Sequence, residues 1–571
     1  MRAASLAIAA TITVLVARPR CQEAFLPVQD LLYERVDRSP YLEILRTEEL
    51  IGSRYLRGEG YLGGFPRIEW QGRLLDHGGS GWFTRNQLAA LFPALGLERD
   101  CRVFGGALVV AERDVEAATE ILRDLRRALP PALTIDLELR EKTGEGMHVW
   151  LARTVDARPG RLSVVSEVAQ RSAVIGYNVE IAQASMICNP MISDERAGVM
   201  VALRPQLAPS GAWALLEVVA RCVETDREAK IDSGHKGIGA IDRVPQRISE
   251  VGRVVLVRPG VHSVQRWSDG EREFELALST QWQLQPAMRV AGHDFAVYSV
   301  RGPLQGFRSV RIAQSREDDM RGQDPEIENG WDDIEALAGP EAEWLEPPDS
   351  DEAPDGERYV AVGRASFAAG AAVMRWFESK TAGPELAVHC YDVAAGTAWP
   401  GDGSVPDGAR LLGRTELSQV EGTWSATAIR TDQSLLRDWD VEVAQSARIP
   451  RPVLERVGAG FVLNLRRTGE VVEVEVDLAR LLDTGGRSIA LSAPIYTPAF
   501  HRPPSGDTGP KDDPAVGLPP DSVRVEHPQI AMLPFGFSVR VADQATVTRR
   551  TSAGELLGAG RELLVVVQRR Q

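Results

Sequence analysis

Cysteine is scarce in this chain. Its five members, Cys21, Cys101, Cys188, Cys222 and Cys390, form an odd and scattered set, which excludes a disulfide framework. None belongs to a CxxC pair, so a zinc knuckle is excluded as well. Cys188 and Cys222 are expected to act as small buried hydrophobes. Eight histidines occur without an HExxH pattern or a close pair, and each reads as a surface or hydrogen-bonded residue rather than a metal ligand. Lysine stands only at Lys142, Lys230, Lys236, Lys380 and Lys511, so arginine carries nearly all the basic charge. No basic patch is present to mark a nucleic-acid or membrane footprint. After the N-terminus no apolar run is long enough for a transmembrane helix.

The net charge of -15 is mostly local. Between Arg316 and Glu357 seventeen Asp and Glu face two Arg, so the rest of the chain is near neutral. That segment also holds Pro325, Pro340, Pro347, Pro348 and Pro354, the composition of a linker. Trp331 and Trp344 lie within it and are expected to dock on a neighbouring surface. At 571 residues the chain has room for about three or four domains, each with its own core.

The most informative feature is an internal repeat. Val179 to Arg204 returns without a gap as Val441 to Arg466. Val179/Val441, Glu180/Glu442, Ala182/Ala444, Gln183/Gln445, Ile187/Ile449, Pro190/Pro452, Gly198/Gly460, Leu203/Leu465 and Arg204/Arg466 are identical pairs. Catalytic sites seldom need a second copy, whereas scaffolds, rings and binding surfaces often do. The repeat extends outward from there. Ala107 to Ala111 reads as a strand, Val115 to Leu129 has helical spacing ended by Pro130-Pro131, and Leu133 to Leu139 alternates as a half-buried strand. The same order recurs at Tyr359 to Val362, Phe367 to Phe377 and Leu386 to Tyr391. Val110, Ile121, Leu122, Leu125, Ile135 and Leu137 are expected on one buried side. Their counterparts are Val362, Val373, Met374, Phe377, Val388 and Cys390. After each unit come strands: Ser172 to Ala184, Val199 to Leu203 and Ala214 to Cys222, then Asp440 to Ser446, Phe461 to Leu465 and Val471 to Val476. Glutamates and valines alternate from Glu470 to Asp477, the mark of a sheet with one wet face.

This gives an α+β fold class: two tandem β-α-β units, each followed by a β-rich, mostly antiparallel domain, joined by the acidic linker. The expected boundaries are a signal peptide at 1–24, a Gly-rich α+β region at 25–100, the first β-α-β unit at 101–160 and its β-rich domain at 161–315. The linker follows at 316–357, then the second unit at 358–393 and the second β-rich domain at 394–571. The leader rests on Met1-Arg2 followed by an apolar run from Ala3 to Ala17, the length of a signal-peptide core.

The order of these elements resembles the secretin family, the ring-forming outer-membrane channels of bacterial secretion and pilus systems. The residues that carry it are Leu108-Val109-Val110, a helix ending Leu125-Arg126-Arg127, and Ile135-x-Leu137-x-Leu139. Gly198-Val-x-Val-x-Leu-x-Pro205 follows, then Ile241-Asp242-x-x-Pro245 and a closing Arg561 to Gln568. The resemblance implies β-α-β units that pack between subunits, a multimeric β-barrel and no catalytic residues. Tandem duplication departs from the family's usual arrangement, and no alternating apolar hairpins offer a lipid face.

Short motifs compete with this reading. Asp483-Thr484-Gly485 and Asp507-Thr508-Gly509 spell the aspartic-protease triplet, but one ends a strand and the other lies in the Pro- and Gly-rich insert Arg502 to Pro520, so turns are expected. His77-Gly78-Gly79-Ser80-Gly81 lacks nucleophile-elbow spacing. Gly234 to Gly239 lacks phosphate-loop spacing and reads as a hairpin tip. Asp349, Asp351, Asp355 and Glu357 do not fit an EF-hand loop. No catalytic, cofactor or metal residue is assigned. The expected function is a non-enzymatic, exported assembly protein of the periplasm or outer membrane, partnered by itself or by other envelope proteins. The alternatives are a soluble periplasmic binding module and a hydrolase. Glu116, Glu120 and Asp124 on the first helix are the first positions to test for contact with a neighbour.

Overall fold

The computed structural model describes, short breaks aside, residues 23–35, 79–97, 101–299, 358–490 and 522–569, with isolated pairs at 68–69, 308–309, 336–337 and 344–345. The first module is a small antiparallel sheet of β1 (Glu23–Pro27), β2 (Arg102–Phe104) and β3 (Ala107–Ala111), with β3 in the middle. Two helices cover it, α1 (Arg85–Ala94) and α2 (Val115–Ala128). Ala118, Ile121, Leu122 and Leu125 place one apolar stripe of α2 against Leu108 and Val110. Glu116 in its first turn and Arg126 and Arg127 in its last suit the helix dipole. Glu120 and Glu116 face outward, and Glu120 meets Arg123 at 3.7 Å. Glu23 and Ala24, the last two residues of the segment expected as a leader, pair with Ala111 and Val110. Residues 1–22 lie outside the described residues.

The chain then runs through β4 (Leu133–Thr143), β5 (Gly146–Ala157), β6 (Ser163–Ala182), β7 (Ser185–Leu207), β8 (Ala214–Thr225), β9 (Gln246–Val257), β10 (His262–Ser268) and β11 (Glu273–Gln281). A second small sheet has the order β12 (Met288–Val290), β13 (His293–Ser299), β15 (Arg358–Val362) and β14 (Trp344–Leu345). Helix α3 (Ala365–Thr381) precedes the last run: β16 (Leu386–Ala394), β17 (Arg410–Glu416), β18 (Trp424–Ala444), β19 (Ala447–Thr468), β20 (Val471–Asp483), β21 (Gln529–Arg540), β22 (Thr546–Ser552) and β23 (Arg561–Arg569).

The two expected β-α-β units do not form. In each case the strand before the helix and the strand after it enter different sheets: β3 sits with β1 and β2 while β4 joins a larger sheet, and β15 sits with β13 while β16 joins that same larger sheet. Val110, Ile121, Leu122 and Leu125 therefore belong to one core, and Ile135 and Leu137 to another. Val290, Phe295 and Val297, far along the chain, complete the first core, which also holds Leu88, Leu91 and Phe92 of α1. Of the acidic segment 316–357, Trp344 is placed: it pairs with Ala361 in β15.

Two eight-stranded antiparallel sheets dominate. The long sheet has the order β21-β20-β19-β18-β9-β8-β7-β6, and the short sheet β22-β23-β16-β17-β10-β11-β4-β5. Leu137, Leu139, Leu276 and Trp267 of the short sheet pack on Val201, Leu216 and Val255 of the long one. Val388 and Val565 likewise pack on Leu463 and Val474 in the second half. The strand order of β6 to β9 is thus repeated by β18 to β21, and that of β4, β5, β10 and β11 by β16, β17, β22 and β23.

Local irregularities recur at the same places. The β6–β7 ladder skips Ile175, between Met191 and Ile192 of its partner; the β18–β19 ladder skips Arg437, between Leu454 and Val453. Gly198 and Gly460 both hold positive φ, 141° and 151°. A side chain there would collide with the Glu167 and Ile429 carbonyls respectively, so both strands need glycine to bend. The β4–β5 and β16–β17 ladders each carry a bulge, after Leu139 and after Cys390. The repeat noticed at Val179 and Val441 covers the last four residues of β6 and β18 and most of β7 and β19.

Candidate assembly interface

The two halves meet at a seam that runs through both sheets. In the long sheet β9 pairs with β18, with Gln246 opposite Asp432 and Gly252 opposite Ala426. In the short sheet β10 pairs with β17, Trp267 opposite Thr415 and Ser268 opposite Arg414. Between the sheets a polar cluster bridges the seam. The Arg253 guanidinium, 1% exposed, donates to Thr415 Oγ1 at 2.9 Å and Gln265 Oε1 at 3.3 Å, and lies 3.6 Å from the Glu416 carboxylate. Thr415 and Thr427 hydroxyls stand 2.7 Å apart. Trp267 donates its indole N–H to Ser249 Oγ at 2.9 Å and stacks on Phe274. On the opposite face of the long sheet, Arg221 pairs with Glu250 and Gln246 donates to Glu195 at 2.8 Å. Further along that face, Trp376 and Phe377 of α3 pack on Leu215 and Val254. Buried charges of this kind hold only when paired, so the cluster fixes how the halves are joined.

The outer ends of both sheets are, among the described residues, the same strand types without a partner strand. Among the described residues, β6 and β21 end the long sheet and β5 and β22 end the short one. In its half β6 holds the place of β18, and β21 the place of β9. Likewise β5 holds the place of β17, and β22 that of β10. Where β9 is buried almost throughout, β5 and the first part of β6 are mostly exposed or half-exposed. Met147 and Val149 of β5 are exposed apolar residues. Further along β6 the Val174 amide donates to Asp242 Oδ2 at 2.8 Å, from the ribbon of Ala229–Ile231 and Ile241–Arg243. On β21, Leu533, Phe535 and Phe537 form a half-buried row, with the two aromatic rings 5.2 Å apart. An unpaired antiparallel edge is a template for another strand.

The motifs read from the sequence do not converge here. Asp483 ends β20; Thr484, Gly485 and the whole of 507–509 lie outside the described residues. Gly79–Ser80 is a short strand paired with Glu34–Arg35, while His77, Gly78 and Gly81 lie outside the described residues, as do 234–239 and Asp349, Asp351, Asp355 and Glu357. Cys222 stands opposite Val199 and Cys188 opposite Val179, so the two cysteines are not neighbours across the ladder. Asp477, at the end of the alternating Glu and Val run, is 3% exposed, so that face of β20 is partly covered rather than wet. Sequence reasoning missed Arg253 and Glu416. The available signal was a run of charges on both faces of an otherwise apolar strand, Arg247, Glu250 and Arg253.

Among the described residues no group of three His, Cys, Asp or Glu is arranged to hold a metal ion, and no helix is long and apolar enough to cross a membrane. No family model matches the chain, and no curated protein matches it. Among solved structures, it is similar to the InvG secretin domain β-barrel from the Salmonella SPI-1 injectisome NC-base. The match has 8% identity and a TM-score of 0.21 over 47% of this chain and 89% of that one. Overlap at that score leaves the fold to be argued from this chain's own strands.

Proposed function

We propose that this chain is an internally duplicated, non-enzymatic structural protein of the cell envelope, exported and secretin-like, that assembles with copies of itself. The observation that carries the reading is the seam. Each sheet already contains one joint of β18 to β9 type or β17 to β10 type, and each ends on the two halves of the same joint. Edges that differ and complement each other head to tail make a heterologous contact, which closes into a ring when the rotation allows. Its activity then resides in surfaces, not in a single polar side chain.

The experiment is oligomeric mass by light scattering across a wide concentration range, with negative-stain imaging of the particles. A closed species of several copies supports the reading. A strict monomer overturns it in favour of a soluble binding module. One observation favours that second reading: Arg153 and Glu167, on the two open edges, form a 2.5 Å ion pair, and Pro534 stands within β21, where it has no backbone N–H to donate. Charges and proline on edge strands are devices that block pairing. Replacing Ser80, His77, Asp483 or Asp507 by Ala should leave function intact. Loss of function from one of these, with the fold unaltered, points to a hydrolase instead.

A further inference from the structure

The seam inside the chain fixes the register of the seam between chains. We infer that β21 of one copy pairs antiparallel with β6 of the next so that Met532 stands opposite Val168, and that β22 pairs with β5 so that Thr551 stands opposite Arg153. This rests on the assembly reading above, and the partner it names is a second copy of this chain.

The register follows from matched irregularities and from no fitting of one chain to another. In the first half Gly198 stands opposite both Val168 and Val223, and Val223 stands opposite Ile248. In the second half Gly460 stands opposite Arg430 and Ala479, and Ala479 stands opposite Met532. Met532 therefore holds the place of Ile248, and Val168 that of Arg430. Ile248 and Arg430 are partners across the internal seam. The short sheet is independent of this. Leu139 stands opposite Leu151 and Leu276, and Leu276 opposite Gln265; Cys390 stands opposite Gly413 and Val565, and Val565 opposite Arg549. Two residues further along each edge, Thr551 and Arg153 hold the places of Trp267 and Thr415, which are partners across the internal seam. Both sheets give an antiparallel joint with the same order of halves.

The chemistry of the two seams differs. Phe537 holds the place of Arg253, Val165 that of Thr427, and Phe535 falls opposite Val165. In the long sheet the polar side chains of the seam are thus replaced between chains by an apolar row, which a folded monomer already presents half-exposed, while in the short sheet Arg153 holds the place of Thr415. Each chain joins its halves with buried hydrogen bonds and meets its neighbour through hydrophobic contact. Ordered edges that lose apolar area to a neighbour gain stability, and the Glu167 carboxylate beside that row is the charge the contact has to cover.

Paired cysteines test the register on the full-length protein. Directly opposed residues of an antiparallel ladder have Cα atoms roughly 4.5–5.5 Å apart, inside the range a disulfide spans. Val168→Cys and Met532→Cys variants, mixed in equal amounts and mildly oxidised, should give a covalent dimer absent from wild type. Val168→Cys mixed with Gly536→Cys, four residues or about 14 Å further along the strand, should not. Circular dichroism of each variant checks that it folds. Preference for the Gly536→Cys partner, or no cross-link in a protein that light scattering finds oligomeric, overturns the register and leaves assembly standing. A monomeric wild type overturns both.

Discussion

At the internal seam β9 is buried along almost its whole length, and Arg253 and Glu416 sit in an interior where water cannot solvate them. At the outer ends the same strand places are held by β21, where Leu533 to Ser538 alternate between half-buried and exposed, and by β6 and β5, which carry Glu167 and Arg153 in contact with solvent. One topological position thus carries two chemistries. A joint made once, within a covalent chain, tolerates buried charge because its partners are always present. A joint made and broken between molecules cannot expose such groups and rebury them without a large desolvation cost.

The largest expected effect comes from breaking the inner joint. Arg253→Ala removes the cation 3.6 Å from Glu416 and the donor to Thr415 and Gln265. Removing one member of a buried ion pair costs about 3–5 kcal/mol. Urea unfolding should show a loss of that size. Arg253→Phe, which copies the residue at the matching outer position, should be no milder, because the Glu416 carboxylate stays buried. A loss below about 1 kcal/mol would mean that the cluster does not hold the halves together.

The outer joint should respond in the opposite way. Phe535→Asp places a charge where a neighbouring strand would cover it. Burial of an unpaired charge costs several kcal/mol, so association should weaken about a hundredfold, at 1.4 kcal/mol per tenfold. Monomer stability should fall by a smaller amount, about 1–2 kcal/mol, since Phe535 packs on the core only half-buried in the folded chain. Sedimentation against concentration separates the two. Equal association of variant and wild type would show that β21 is not the contacting edge.

Much of this comparison was visible in the residues, and its decisive part was not. The alternation of Leu133 to Leu139 and of Glu470 to Asp477 marks strands, and the spacing of Ala118, Ile121, Leu122 and Leu125 marks a helix, because those patterns are local. Which sheet a strand joins is settled by partners far away. Leu108 and Leu137 flank the same helix, yet the first packs with Phe92 and Phe295 and the second with Val201 and Val255. Nothing within the window around α2 distinguishes that outcome from a β-α-β unit. Arg253 and Glu416 look like surface residues until the seam brings them together across the two halves.

A difference between the halves of the short sheet is open to pH. His389 in β16 has its ring nitrogens 3.2 Å from Tyr391 Oη and 3.1 Å from Gln568 Nε2. Burial first, and the Arg414 charge second, hold its pKa down at about 4. The unfolded chain takes up this proton near pH 6.5, the folded chain only near 4. The histidine's contribution is therefore present above pH 6.5, falls as pH drops to about 4, and falls no further below. The loss is at most about 3 kcal/mol. The melting temperature of wild type should drop across that window more than that of His389→Gln. Parallel curves would mean that the ring is solvated well enough to titrate normally.

The smallest effect belongs to the Arg153–Glu167 pair, and it bears most directly on whether the outer edges are joints or guards. Both side chains are about half exposed, 57% and 47%, so the pair contributes about 0–1 kcal/mol to folding and Glu167→Gln should barely move the unfolding midpoint. Assembly is the sensitive readout. In the inferred register Glu167 falls opposite Leu533, an apolar neighbour that cannot pair with it. If the edges are joints, the carboxylate is a cost of association, and Glu167→Gln should tighten it several-fold, with weaker dependence on salt. If the edges are guarded against pairing, the same change in a monomeric wild type should produce irregular, concentration-dependent aggregates rather than a species of defined mass. Light scattering with the variant at two salt concentrations distinguishes a discrete oligomer from a growing distribution.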